Sequence, residues 1–159
     1  MTLIPAVAHC DTVGHMPAKA TARQRQHRSF RFPHDTLQRL DARAKQIRET
    51  RTTLAERYVD EGLRMDEHPG IAFADGPAGR RAVLAGSGLD VWEVIATLRQ
   101  NRNSLEATAR YLELPVAVLR PAVGYYAAFP DEVNDRITLN EEVARAAQEA
   151  WRREQAVLE

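Results

Sequence analysis

The chain has 159 residues, of which 44% are hydrophobic and 28% charged, and its 22 Lys and Arg balance its 22 Asp and Glu. This composition is typical of a globular protein with one ordinary domain or two small ones. No apolar run approaches the ~20 residues that span a bilayer. The start from Met1 to Ala8 lacks the pattern of a secretory signal. The single cysteine, Cys10, excludes an intramolecular disulfide framework. We therefore expect a cytoplasmic protein with no membrane association.

The zero net charge conceals an asymmetry along the chain. From Lys19 to Arg57 there are 11 Lys or Arg and 4 Asp or Glu, a balance of +7. From Tyr58 to the end there are 11 Arg and 17 Asp or Glu, a balance of −6. Such a split predicts that the first half meets a polyanion. The alternative is that charged helix faces simply solvate the protein.

Residues 1–26 show neither a helical nor a strand period, and we expect a flexible basic arm. His9, Cys10, Asp11 and His15 are metal-capable side chains, but their spacing matches no standard zinc pattern. No metal site is predicted here.

A single short strand is predicted from His27 to Phe32, closed by Pro33. Phe30 and Phe32 share one face, whereas Ser29 and Arg31 share the other. A lone strand with one apolar face needs a partner, and no second strand of this kind lies nearby in the sequence. The simplest partner is the same strand of a second copy. The resulting antiparallel ribbon would have a basic face that a DNA major groove can admit.

Two helices are predicted after the strand. The first runs from about His34 to Glu49, with apolar residues at positions 37, 40, 44 and 47. The second runs from about Arg51 to Asp66. Its N-cap is either Thr50 or Thr53, and both remain open. In either case the first turn offers N–H groups to an anion.

The segment from His27 to Leu63 resembles the ribbon-helix-helix DNA-binding proteins of the MetJ, Arc and CopG group. The resemblance implies an intermolecular two-stranded ribbon on a homodimer or higher oligomer that binds double-stranded operator DNA. The implied base-contacting residues are His27, Ser29 and Arg31. The expected phosphate-contacting residues are Arg23, Arg25, Arg28, Thr50, Arg51 and Thr52. The implied dimer core contains Phe30, Phe32, Leu37, Leu40, Leu54 and Val59.

A β-hairpin is predicted after the break at His68-Pro69-Gly70. Its strands are Ile71–Phe73 and Arg80–Leu84, with a glycine-rich turn over Asp75–Gly79. These glycines do not follow a strand and open a helix, as a phosphate-binding loop would. We therefore interpret them as turn residues.

Three short helices are predicted next, in a helix-turn-helix-like unit. Asp90 caps the first and forms a capping-box spacing with Glu93. The second follows Ser104, and the third begins with Pro115. Pro121 should kink the third helix or delay its start.

A final helix is predicted from Glu141 to about Leu158, with Asn140 as its N-cap. Trp151 in this helix is either a packing residue or a partner-binding residue. Trp92 allows the same two interpretations, with packing in the C-terminal core preferred. Among the other aromatic residues, Tyr126 and Phe129 are expected in that core.

A second resemblance covers about Arg80 to Ile137. The matching residues are Arg80–Gly86, Leu89–Trp92, Tyr125–Tyr126, Pro130 and Glu132. They resemble a small domain family of unknown biochemical function that occurs in bacterial and archaeal antitoxins, often encoded beside PIN-like ribonuclease toxins. Pro121 departs from the usual pattern. Fused to a ribbon-helix-helix module, this domain implies an antitoxin that also represses its own promoter.

The sequence thus predicts a mainly α protein with four parts: an arm over 1–26, a ribbon-helix-helix domain over 27–67, a hairpin with three helices over 68–138 and a C-terminal helix over 139–159. The leading hypothesis is an autorepressing antitoxin with a PIN-like toxin as a possible partner. A ribbon-helix-helix regulator without a toxin and a protein-interaction adaptor are the alternatives. No catalytic constellation, cofactor or metal is predicted.

Overall fold

A computed structural model describes residues 29–76 and 78–158. Its elements in chain order are α1 (His34–Ile47), α2 (Arg51–Glu67), β1 (Ile71–Ala74), β2 (Arg81–Leu84), α3 (Val91–Gln100), α4 (Leu105–Tyr111), α5 (Val116–Ala128) and α6 (Pro130–Leu158). This part of the chain is therefore mainly helical with a small antiparallel hairpin, as the sequence predicted. None of the helices in these two ranges has the length and hydropathy needed to cross a bilayer.

Helices α1 and α2 form a helical hairpin. Arg48 ends α1 in the left-handed region, with φ 57°. Thr50 is the N-cap of α2, because its Oγ1 accepts a hydrogen bond of 3.1 Å from the Thr53 N–H. This settles the choice between Thr50 and Thr53. Ala44 and Leu54 are buried, so they close the contact between the two helices.

The hairpin pairs Ile71 with Leu84 and Ala74 with Arg81 in antiparallel register. Ala82 and Leu84 are buried and belong to the core, so one face of β2 turns inward. The capping box of Asp90 and Glu93 is formed at the start of α3, as predicted. The hairpin is thereby joined to the first of three short helices that contact one another pairwise.

One hydrophobic core lies between the hairpin and helices α3, α5 and α6. Tyr125 and Leu119 of α5 are fully buried in it, together with Val94 of α3. Tyr126 and Phe129 pack against this core as predicted. Trp92 also packs against it, which confirms the preferred packing interpretation.

Pro121 lies inside α5, which already begins at Val116, so of the two predicted alternatives the delayed start is excluded. Pro115 precedes the helix as its N-cap. The proline ring packs against Gly70, where an added Cβ would stand 3.0 Å from the Pro121 Cγ. A larger residue at position 70 would therefore meet the Pro121 ring.

The largest difference from the sequence prediction is α6, which begins at Pro130 and not after Asn140. Proline suits the first helical position, and Asp131 and Glu132 complement the helix dipole in the first turn. The prediction that Asn140 caps the helix is wrong. Its Nδ2 donates a 2.8 Å hydrogen bond to the Arg136 carbonyl one turn earlier, within the helix. The predicted boundary between residues 138 and 139 therefore falls inside one continuous helix.

Candidate nucleic-acid interface

An apolar groove of about 570 Å³ runs between residues 30–32 and helices α1 and α2. Four large apolar side chains in its lining are open to solvent: Phe30 is 75% exposed, Phe32 48%, Val59 59% and Leu63 57%. Contiguous apolar surface of this kind is typical of an interaction site. It lies where the sequence predicts contact with a second copy.

Residues 29–33 are exposed and form no strand within the single chain. The rings of Phe30 and Phe32 are 6.4 Å apart, consistent with the predicted alternation of faces. A ribbon strand needs hydrogen bonds from a partner chain, so the ribbon stays a prediction. Ser29 and Arg31, the predicted base-contacting residues in this segment, are exposed.

The first turn of α2 holds the predicted phosphate-contacting residues. The Thr50 hydroxyl caps the helix and lies 2.8 Å from the Thr53 hydroxyl. The Arg51 Nε lies 2.5 Å from a carboxylate oxygen of Asp41, so a phosphate would compete with this ion pair. Thr52 is exposed beside the groove. The turn presents the exposed side chains of Arg51 and Thr52, among others, next to the positive end of a helix dipole.

Several predicted contacts lie outside the described residues. These are His27 of the base-contacting set, and Arg23, Arg25 and Arg28 of the phosphate-contacting set. Their roles remain predictions.

The predicted dimer core divides into two groups. Leu54 is fully buried within the single chain and already joins α1 to α2. Leu37 and Leu40 are half-buried and line the groove. Their exposed sides continue the apolar surface formed by Phe30 and Phe32.

The sequence analysis missed a group of charged residues that ties α2 to the C-terminal core. The Glu61 carboxylate is buried and receives hydrogen bonds of 2.5 and 2.7 Å from Arg80. These hydrogen bonds raise the pKa of Arg80 above its ordinary value. One signal was present in the sequence: Glu61 follows Leu54 by seven residues, a spacing that returns to the same helix face.

Arg64, one turn further along α2, reaches the same core. Its guanidinium donates to the Tyr125 hydroxyl at 2.9 Å and to Glu132 at 2.6 Å, and it lies over the Phe129 ring. Burial by itself would lower the pKa of Arg64, but these hydrogen bonds outweigh it and raise the pKa. Helix α2 therefore belongs to both the groove and the C-terminal core.

A second cleft, of about 400 Å³, lies between the hairpin and α6. Trp92 lines it and donates a 2.9 Å hydrogen bond from its indole N–H to Asp90. Arg136 crosses from α6 to the hairpin and donates hydrogen bonds to the carbonyls of Ala78 and Arg80. Trp151 lies far along α6 and is 59% exposed, so the two predicted partner-binding residues are not brought together within one chain.

Comparisons of the chain with protein-family models, with curated proteins and with solved structures found no match. Within residues 29–76 and 78–158, no three His, Cys, Asp or Glu side chains are grouped so that they could hold a metal ion.

Proposed function

We propose that the chain is a cytoplasmic, homodimeric DNA-binding repressor that reads its operator with residues 27–33 and acts as the antitoxin of a toxin–antitoxin pair. The observation that carries the DNA-binding proposal is the exposed apolar groove beside Phe30 and Phe32. Arg31 and Ser29 alternate with these two rings along the same segment.

A second copy is the occupant that best fits the groove. Fully burying an exposed Phe, Val or Leu side chain gains about 1.5–3 kcal/mol. Phe30, Phe32, Val59 and Leu63 are 48–75% exposed and would each gain a corresponding part of this on both protomers of a two-fold dimer, because such an interface uses the same patch twice. The two segments would then lie side by side, and the face opposite the phenylalanines would point away from the groove.

That opposite face has the chemistry of a base reader. A guanidinium such as that of Arg31 can make two hydrogen bonds to one guanine, which is worth about 1–3 kcal/mol of discrimination. Ser29 can donate or accept and discriminates less. Thr52 and the start of α2 would hold the flanking phosphate, and the two-fold axis predicts a pseudo-palindromic operator.

The test is a titration of the full chain against its own upstream DNA and against scrambled DNA of equal length, at physiological salt. We expect a preference of about 10³-fold or more for the upstream DNA. Arg31→Ala should remove most of this preference. Arg120→Ala is the matched control, because Arg120 is also exposed but lies on α5. Equal weakening by both substitutions, or no preference in the parent protein, would refute the proposal.

The antitoxin part of the proposal rests on the resemblance of residues 80–137 to antitoxin-associated domains. Its test is co-expression with any small reading frame that adjoins its gene. Neutralisation of that product's growth arrest, together with co-purification of the two proteins, is the expected outcome. A regulator without a toxin is the conclusion if upstream DNA is bound specifically but no neighbouring product arrests growth.

A protein-interaction adaptor is the second candidate, and the exposed apolar residues of α6 favour it. Val143, Trp151 and Leu158 are 60%, 59% and 80% exposed. Under this alternative the Arg31→Ala substitution changes no function, since the basic segment contacts no DNA.

A further inference from the structure

The last part of α6 packs on nothing else in the described chain. The two buried residues of α6, Val133 and Ile137, both lie in its first part. All residues over 141–149 and 151–158 are exposed, and Ala150 is half-buried. This part is about 27 Å long at 1.5 Å per residue. In proteins most helical stability comes from packing of an amphipathic face, so a partner surface is expected for this part.

The exposed apolar residues of this part form one stripe, which we call the α6 stripe. Its apolar members are Leu139, Val143, Ala146, Ala147, Ala150 and Val157, and Glu154 lies on the same face between Ala150 and Val157. Trp151 and Leu158 border it on one side. Three alanines occupy the middle of the stripe, and small side chains allow two helix axes to approach closely.

The α6 stripe continues directly into the cleft between the hairpin and α6. Glu132, Arg136 and Leu139 line the cleft, and Val143 follows at the next step of four on the same helix face. Trp92 lines the opposite wall of the cleft. A helix lying along the stripe would therefore run into an opening lined by Trp92 and Leu139 together with charged residues such as Arg136.

We propose that the α6 stripe pairs antiparallel with the α6 stripe of a second copy of this chain. Glu142 and Arg153 border the stripe on the side opposite Trp151. An antiparallel pair that sets Glu142 against Arg153 of the second copy has its two-fold axis between Ala147 and Gln148. An antiparallel pair brings the same flanks of the two helices together and so forms this charge pair twice, whereas a parallel pair brings opposite flanks together and forms it at neither end.

The same register agrees with two further features of the helix. It brings Trp151 of the second copy opposite Ala144, so a large side chain meets a small one. It also brings Val157 and Leu158 of the second copy opposite residues 137 and 138, beside Leu139 at the mouth of the cleft. These two apolar residues are 84% and 80% exposed in the single chain. The chain thus supplies both the apolar helix end and the cleft, as a self-complementary interface requires.

This inference is independent of DNA binding, since none of its residues lies in α1, α2 or the segment before them. It adds a second self-association surface to the one proposed at the groove. If the two copies joined at the groove also pair through α6, the α6 contact closes that same dimer. If α6 pairs with a copy from another groove dimer, the contact joins two dimers. Both arrangements place Ala147 of one copy beside Ala147 of another.

The test places one cysteine on the full chain in a Cys10→Ser background and measures covalent dimer formation by a short bismaleimide. Ala147→Cys lies at the proposed two-fold axis. Arg145→Cys is the matched control, because residue 145 is also exposed but lies on the opposite face of the helix. In the proposed helix pair, residue 145 of one copy and residue 145 of the other would be separated by roughly 20 Å. We expect Ala147→Cys to cross-link about tenfold faster or more. Equal rates would overturn the proposal, and the stripe would then be assigned to a different protein.

A charge exchange tests the register. Glu142→Arg in the Ala147→Cys chain should slow cross-linking roughly threefold to thirtyfold, because two pairs are broken in each dimer. Adding Arg153→Glu should restore the rate to within about twofold. A double variant that is slower than either single variant would exclude this register.

Discussion

Replacing Arg80 with methionine should destabilise the protein strongly, because it leaves the Glu61 carboxylate buried without its cationic partner. The Glu61 side chain is 10% exposed and the Arg80 side chain 27% exposed. Breaking a fully buried ion pair costs about 3–5 kcal/mol. Water reaches about a quarter of Arg80, so the expected loss is lower, about 2–3 kcal/mol of unfolding free energy.

The assay is urea unfolding at fixed protein concentration, since association affects apparent stability. Arg39→Met is the matched control, because the Arg39–Asp35 pair lies on α1 with side chains 77% and 74% exposed. It should cost at most about 0.5 kcal/mol. Adding Glu61→Met to Arg80→Met should recover much of the loss, because no charge is then left unpaired. If Arg80→Met costs no more than Arg39→Met, the reasoning about this ion pair is refuted.

Three further predictions concern the groove, the hairpin entry and the core. Val59→Asp should shift dimers to monomers in sedimentation while leaving the helical circular dichroism unchanged; unchanged dimers would exclude this surface. Gly70→Ala should cost more than about 1 kcal/mol in urea unfolding, because φ is +95° and the Pro121 ring is close; a neutral result would contradict this. Burial and the hydrogen bond to Glu132 raise the pKa of Tyr125 above its usual value. Above about pH 10 only the unfolded chain releases this proton, so the free energy of unfolding should fall by about 1.4 kcal/mol per pH unit. Tyr125→Phe should flatten that decline and exposed Tyr111→Phe should not; an identical slope in both would rule out this origin.

The local pattern of the chain predicted most of its secondary structure. The apolar steps at Leu37 and Leu40 predicted α1, and the Asp90–Glu93 spacing predicted the start of α3. The glycine-rich turn predicted the hairpin. Each of these features depends on residues a few positions apart, and such short-range interactions can be recognised in the sequence.

The candidate interface was predicted in part. The alternation of Phe30 and Phe32 with Arg31 is a property of the sequence. The exposure of Val59 and Leu63 around a shared groove appeared only when α1 and α2 were packed together. The cleft at Trp92 and its continuation into the α6 stripe also required the fold, because hairpin and helix contribute residues that are more than 50 positions apart in the sequence.

The sequence by itself determined the helices apart from the start of α6, the hairpin and the basic character of the first half, because periodicity, capping and charge act over one or two turns. The tertiary structure alone decided that α6 continues through Asn140. A polar residue at a helix-capping spacing also fits inside a helix when its side chain bonds the preceding turn. The tertiary structure also decided that Glu61 is buried, since a carboxylate is tolerated there only with Arg80 beside it. Those two residues are 19 positions apart, and their energies depend on a contact that only the folded chain makes.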